Sequence, residues 1–421
     1  MKNTLSRRGF IASVSAIPAS AGLTPGLVLG ETENDVYREL GIRPFINAAG
    51  TYTALSASLM DRAVIEAMES AARNYVSIPE LQEAAGNRIA SLVGSEAALV
   101  TAGCAAALTL ATAACVCGEN EDAIRRVPDT EGLKNEVIFP LGHRFGYDHA
   151  IRNVGVKIVE VASKEELDAA IGDRTAMLFF LNLAANRSPI TREELVEAGK
   201  RTGVPTLIDA AADLPPARNL TDLAGMGFDL VAFSGGKGLR GPQCSGLLIG
   251  RKDLVRAAFL NGSPHSDSVG RIAKVGKEEI VGLTKAVELY VARDHDADWR
   301  EWESRVSHIL SAVEGIEGVT GERFVPEIAN EVPHAAINWD PNQIRLTRDE
   351  LARILREGEP RIEARPSEGD APRLEIGVWM MTPGDHEVVA ARCREALRGA
   401  RMKRAAKVNA FGSVAPSTKL R

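Results

Sequence analysis

Between residues 97 and 249 the chain alternates short, strongly apolar runs with segments of helical periodicity, and this alternation constrains the fold more than any other feature. The runs are Ala97–Val100, Val137–Phe139, Lys157–Val161, Ala176–Leu181, Pro205–Ile208, Leu230–Phe233 and Gly246–Ile249. Helical patterns such as Ala105–Cys115 and Arg192–Thr202 separate several of them. Strands that alternate with helices pair in parallel, and the helices cover both faces of the sheet. The expectation is an α/β fold on a mostly parallel seven-stranded sheet.

The flanks read differently. Residues 31–60 form an N-terminal arm with little periodicity, containing Pro44-Phe45-Ile46-Asn47-Ala48-Ala49-Gly50. A large domain over 61–290 opens with two helices between Arg62 and Val93, broken near Ser77-Ile78-Pro79. Apolar residues at helical spacing from Glu278 to Ile316 predict one long or bent helix leaving that domain. Residues 291–400 mix strands (His334–Trp339, Arg373–Val378) with helices (Thr347–Arg356, Asp385–Arg398), as in a small α+β domain. Residues 401–421 hold Arg401, Lys403, Arg404, Lys407, Lys419 and Arg421 and no acid, a basic tail.

Residues 1–30 predict an export signal. Ser6-Arg7-Arg8-Gly9-Phe10-Ile11 precedes an uncharged stretch to Gly30, with Ala19-Ser20-Ala21 as a small-residue cleavage site. The arginine pair resembles the twin-arginine motif, whose route carries folded cargo to the periplasm. No later apolar run approaches the ~20 residues needed to span a membrane. A net charge of −6 leaves no electrostatic footprint for nucleic acid. Cys104, Cys115, Cys117, Cys244 and Cys393 have neither an even count nor a metal-type spacing, which argues against a disulfide framework and a zinc site.

Three motifs carry chemistry. Ser234-Gly235-Gly236-Lys237-Gly238 follows the run Leu230–Phe233. A lysine in a glycine-rich turn past a buried strand is placed to approach a ligand, and a desolvated amine can form an imine. Asp209 ends the apolar run before it, 28 residues ahead of Lys237. Ligands of parallel sheets bind beyond the C-terminal strand ends, where a carboxylate can pair with a protonated pyridine nitrogen. Ala211 is small enough for a ring to lie flat against it. Thr101-Ala102-Gly103-Cys104-Ala105 joins a strand to an Ala-rich helix, so the amides of Gly103, Cys104 and Ala105, with the Ser234 hydroxyl, can hold a phosphate. The order phosphate turn, then Asp, then Lys is that of pyridoxal 5'-phosphate enzymes of fold type I, the aspartate-aminotransferase-like fold. His143, in Gly142-His143-Arg144-Phe145-Gly146-Tyr147-Asp148-His149, is expected to stack on the ring opposite Ala211, while Tyr147 or His149 reaches the substrate.

These motifs, with Ile46–Thr51, Gly241-Pro242-Gln243 and Gly270–Glu278, resemble the selenocysteine-synthase-like family, and within it the branch of D-glucosaminate-6-phosphate ammonia-lyase. The resemblance covers most of residues 40–400. It implies Lys237 as the cofactor lysine and a homo-oligomer in which Asn47 and the Arg271–Lys277 segment approach a neighbour's site. Two departures stand out. Selenocysteine synthase proper carries an added N-terminal tRNA-binding domain, whereas here the matching core is expected to begin almost directly after the signal, and Cys104 sits where the family often has a small residue or a hydroxyl.

The expected activity is a lyase acting on a small amino acid or amino sugar acid by β-elimination. Lys237 and Asp209 are the catalytic residues, and Arg373 and Asn47 bind substrate. Racemisation or transamination start from the same α-carbanion and are the alternatives. Selenium transfer to seryl-tRNA does not suit an exported protein, and the intact Asp209–Lys237 pair argues against a non-catalytic binding protein.

Overall fold

The computed structural model describes residues 36–365 and 371–401. The expected signal over 1–30 and all but the first residue of the tail at 401–421 lie outside the described residues. The residues before Phe45 form a unit of their own and contain a short helix, Val36–Glu39. A second compact unit begins at Phe45.

Its strands are β1 (Ile46–Ala48), β2 (Ala97–Thr101), β3 (Glu136–Pro140), β4 (Lys157–Val161), β5 (Thr175–Leu181), β6 (Thr206–Asp209), β7 (Leu230–Ser234), β8 (Gly246–Gly250), β9 (Val319–Phe324), β10 (His334–Trp339), β11 (Ile362–Ala364) and β12 (Arg373–Gly377). The seven apolar runs form one sheet in the order β2-β8-β7-β6-β5-β3-β4. Neighbours from β7 to β4 are parallel, and β8 runs against both β7 and β2. Leu181, Asp209 and Ala232 lie side by side, as do Ser234, Gly246 and Thr101. The C-terminal ends of β2, β5, β6 and β7 therefore share one edge, where ligands of such sheets bind.

Period-two alternation sorts the strand side chains into two cores. Leu178, Phe180, Ile208, Val231 and Phe233 face the helices Ile78–Val93, Arg192–Thr202 and Lys277–Ala292. Met177, Phe179, Leu207, Leu230 and Ala232 face Cys104–Cys117 and Lys252–Leu260. Each large apolar side chain buried this way stabilises the fold by about 1.5–3 kcal/mol. Helix Cys104–Cys117 is buried on nearly every side, which its alanines permit. Its approach to β8 is so close that a Cβ on Gly246 would lie 2.3 Å from the Gly103 carbonyl carbon.

A third core gathers Trp302, Ile309, Ile337, Leu374 and Trp379 around the antiparallel sheet β12-β10-β9. The segment read as an aperiodic arm contributes to it: β1 pairs in parallel with β11, and Ile46 and Ala48 are buried there. The expected long helix is instead two, Lys277–Ala292 and His295–Val313. Arg293 is extended, and the Asp294 carboxylate accepts the Ala297 amide at 2.9 Å as a new N-cap. Among the described residues no helix is long and apolar enough to cross a membrane.

Candidate active site

Asp209 ends β6 and is only 5% exposed. Its Oδ1 accepts the Ala211 amide at 2.9 Å and faces the Cys104 thiol at 3.7 Å. Burial pushes its pKa up, and the Ala211 amide, Lys237 and Cys104 pull it back. A cation brought alongside would hold the carboxylate ionised.

Lys237 sits in the turn after β7. The turn closes on itself through the Arg240 amide to the Lys237 carbonyl (3.0 Å) and the Gly241 amide to the Gly235 carbonyl (2.8 Å). Its glycines answer to close approach: a Cβ on Gly238 would lie 2.0 Å from the Leu214 carbonyl oxygen, and one on Gly236 2.5 Å from Gln243 Cα. The Ser58 hydroxyl donates to the Gly236 carbonyl at 2.7 Å. The lysine is thereby held on a braced backbone.

Two cavities meet at this side chain. The first, about 450 Å³, is lined by Gly103, Cys104, Ala105, Asp209, Ala211, Ser234 and Lys237. The second, about 600 Å³, is lined by residues of the 49–53 segment together with Lys237, His334, Arg365, Arg373 and Trp379. Helix Cys104–Cys117 begins at the wall of the first cavity. Gly103 is its N-cap, at φ 94°, with no side chain to cap the first-turn amides. Such amides, at the positive end of the helix dipole, suit a phosphate.

The structure therefore brings together Gly103, Cys104, Ala105, Asp209, Ala211, Ser234 and Lys237 around the first cavity, and it places the other expected residues elsewhere. His143 is fully buried: its Nδ1 accepts the Leu181 amide at 3.0 Å and its ring meets the edge of Phe180. It lines neither cavity, and burial pushes its pKa down to about 4. Phe145 and Tyr147, from the same loop, line the first cavity instead. Arg373 lines the second cavity, with its Nη1 donating to Glu322 (2.6 Å) and Asn338 (3.2 Å) and its Nε to Glu375 (3.1 Å). Asn47 spends its amide on its own turn, accepting the Ala49 and Gly50 amides at 3.0 Å. Arg271, Lys274 and Lys277 line a separate pocket with Tyr75 and Val76. His149 lines neither of the two cavities around Lys237.

Other polar groups were not foreseen. Arg365 lines the second cavity with its Nη1 buried and without a partner among the described residues, while its Nε lies 3.6 Å from the Glu375 carboxylate. Trp379 Nε1 is likewise buried without a partner beside the same cavity. Asp213 lines the first cavity with Oδ1 unpartnered. Only Asp213 had a signal in the chain, as a second acid four residues after Asp209.

The uncapped amides, the small face at Ala211, the carboxylate of Asp209 and the amine of Lys237 fit a phosphorylated pyridine aldehyde. Fold and site together define a pyridoxal-phosphate-dependent enzyme of fold type I. The chain belongs to the L-seryl-tRNA selenium transferase (SelA) family, whose model matches residues 45–301. It is 31% identical to a Streptomyces 5'-C-glycyluridine monooxygenase-decarboxylase, over 86% of this chain and 92% of that protein. It is 27% identical to D-glucosaminate-6-phosphate ammonia lyase of Salmonella typhimurium, over 86% of this chain and 97% of that one. Among solved structures, a D-glucosaminate-6-phosphate ammonia-lyase superposes with a TM-score of 0.76 at 26% identity, covering 88% of this chain and 100% of that one. A serine palmitoyltransferase shares the fold at a TM-score of 0.55 and 14% identity, covering 85% of this chain and 88% of that one.

Proposed function

We propose that the protein is a lyase that eliminates a β-substituent from a small amino acid or amino sugar acid, with release of ammonia and an oxo acid. The observation that carries this reading is the position of Lys237 at the junction of two cavities, one suited to the cofactor and one open for a substrate. The likeness to D-glucosaminate-6-phosphate ammonia lyase in sequence and fold supports it.

When bound, the cofactor supplies an electron sink beside the substrate's α-carbon. The amides of Gly103, Cys104 and Ala105 and the Ser234 hydroxyl would hold its phosphate, Asp209 would pair with its ring nitrogen, and Ala211 and Phe145, which line the same cavity, would flank its ring. Lys237 accepts the α-proton. Arg365 Nη1 and Trp379 Nε1, which have no partner among the described residues, would hold the substrate carboxylate.

A product assay with D- and L-amino acids and glucosaminate tests the reading. Ammonia with an oxo acid supports it. An inverted amino acid, or turnover only with an oxo-acid acceptor, replaces it with racemisation or transamination.

We also read the protein as a homo-oligomer, because Tyr75 and Ile272 stand almost fully exposed on the described chain. Light scattering of the purified protein tests this, and a monomer refutes it. Export by the twin-arginine route rests on Arg7 and Arg8, and replacing both with lysine should leave the protein in the cytoplasm.

A further inference from the structure

Arg240 closes the turn that carries Lys237, and three of its features do not suit an ordinary surface arginine. Its backbone lies in the left-handed region at φ 55°, which L side chains rarely adopt and where glycine would be unstrained. Its side chain is partly buried, and Nη2 donates at 2.9 Å to the carbonyl of Trp379, 139 residues further on. Among the described residues its guanidinium pairs with no carboxylate, because the neighbouring acids, Asp61 and Asp298, are taken by Arg293 at 2.6 and 3.8 Å. Backbone strain persists where the surroundings over-determine it, and here the side-chain bond to Trp379 is what does so. The 378–381 turn is held from a second side as well: Arg305 Nη1, from helix His295–Val313, donates to the carbonyls of Val378 (3.2 Å) and Met381 (2.7 Å). Two arginines thus grip one turn, and of the two only Arg240 comes from the lysine turn.

Each end of this bond belongs to a different part of the site. At one end the Arg240 amide donates to the Lys237 carbonyl at 3.0 Å, so a displacement of Arg240 is passed to the lysine backbone. At the other end Trp379 lines the second cavity, with Nε1 lacking a partner among the described residues. Arg240 itself lines neither cavity. We propose that Arg240 is a positioning residue that locks the Lys237 turn to the Trp379 turn and so fixes the spacing between the amine and the substrate carboxylate. A reacting group misplaced by about 1 Å loses on the order of 10²-fold in rate, which is what the lock prevents. A glycine at this position would relax the backbone and lose the lock. The proposal rests on the reading of Lys237 as the base and Trp379 as a substrate donor.

The test has two readouts. Backbone amide exchange of the apoprotein, followed by mass spectrometry, needs neither cofactor nor substrate. Arg240→Met and Arg240→Gly should each speed exchange about tenfold or more in segments 235–241 and 378–381 together, whereas Arg305→Met should speed it in 378–381 alone. In the cofactor-loaded enzyme, exchange of the α-hydrogen of D-serine, L-serine or glucosaminate in deuterium oxide, whichever is exchanged, reports on Lys237. Both Arg240 variants should lower kcat about 10–100-fold and raise KM about tenfold or more. Arg305→Met should raise KM and keep kcat within about threefold. Amide exchange that speeds up in one segment only, or in neither, in the Arg240 variants overturns the proposal. So does an Arg240→Gly enzyme with unaltered kcat and KM, since the side chain then does nothing. An equal loss of kcat in Arg305→Met overturns it too, because that arginine never touches the lysine turn. If both segments loosen but the unaltered enzyme exchanges none of the three compounds, the reading of Lys237 as the base fails, and the lock survives without its catalytic role.

Discussion

The Cys104 thiol lies 3.7 Å from Asp209 Oδ1, which ties the first turn of helix Cys104–Cys117 to the end of β6. Burial and the neighbouring Asp209 push the thiol's pKa well above its usual value, so the sulfur keeps its proton and donates it. The first residue of the helix whose amides would hold a phosphate thus helps set the Asp209 carboxylate. Cys104→Ser should keep cofactor affinity within about threefold, whereas Cys104→Ala should lower it about fivefold, one hydrogen bond of about 1 kcal/mol. Titration of the apoprotein followed by visible absorbance checks both.

Replacing Lys237 with alanine should abolish turnover, a loss of at least about 10³-fold in kcat, because it removes the group that moves the α-proton. Borohydride treatment of the unaltered enzyme should bleach its colour and label Lys237, and the variant should take no label. Turnover within tenfold of normal in Lys237→Ala would remove the mechanism altogether.

The two arginines beside the second cavity should behave differently. Arg365 has a free Nη1, so Arg365→Gln should raise KM about 10–100-fold, as expected for a charged hydrogen bond worth about 1.5–3 kcal/mol, with little change in stability. Arg373 is engaged by Glu322 and Glu375, so Arg373→Gln should act mainly on stability. Steady-state kinetics and urea unfolding on the two variants separate the roles, and the reverse pattern would restore Arg373 as the substrate ligand.

Asp213 should leave a mark on stability. Its folded pKa of about 7 lies above that of an exposed aspartate, so the native state holds a proton that the unfolded chain has released. Its contribution to stability therefore falls as pH rises from about 4 to 7 and is flat above, a change on the order of 3–4 kcal/mol from a shift of about three units. Asp213→Asn should remove that slope in urea unfolding of the apoprotein between pH 4 and 8. His143, held down to about 4 by burial, works in the opposite sense: its contribution is lost as pH falls through 6.5 towards 4. The variant should therefore show stability rising more steeply with pH in that lower window.

The strands of the main sheet were legible in the chain because all but the edge strand β4 are largely buried and read as dense apolar runs, while β4 still shows Ile158, Val159 and Val161 among Lys157 and Glu160. β9 was not, since most of its residues are exposed, and the three-residue β1 and β11 are too short to show a period. The helix break at Arg293 was hidden by apolar spacing that stays in phase across it, although Asp294 was present to cap. Asp209 and Lys237 could be found because the end of a buried strand is a local property, and in a parallel sheet every such end points to the same edge.

The facing of a side chain after a strand is not local. His143 and Phe145 share one loop, and which of them turns to the cavity depends on the Leu181 amide and the Phe180 ring, brought in by β5. Arg365 and Arg373 are the same residue type at the same cavity. Glu322 and Asn338, delivered by β9 and β10, take up Nη1 of the second, while Nη1 of the first has no partner among the described residues. Asp213 is an ordinary acid in the chain, and its pKa rises only where packing strips its water and Asp209 and Glu331 crowd it. Residue order therefore sets the strands and the residues at their ends. Desolvation and pairing between distant segments exist only once the chain is closed up, and they decide which of those residues is free to act.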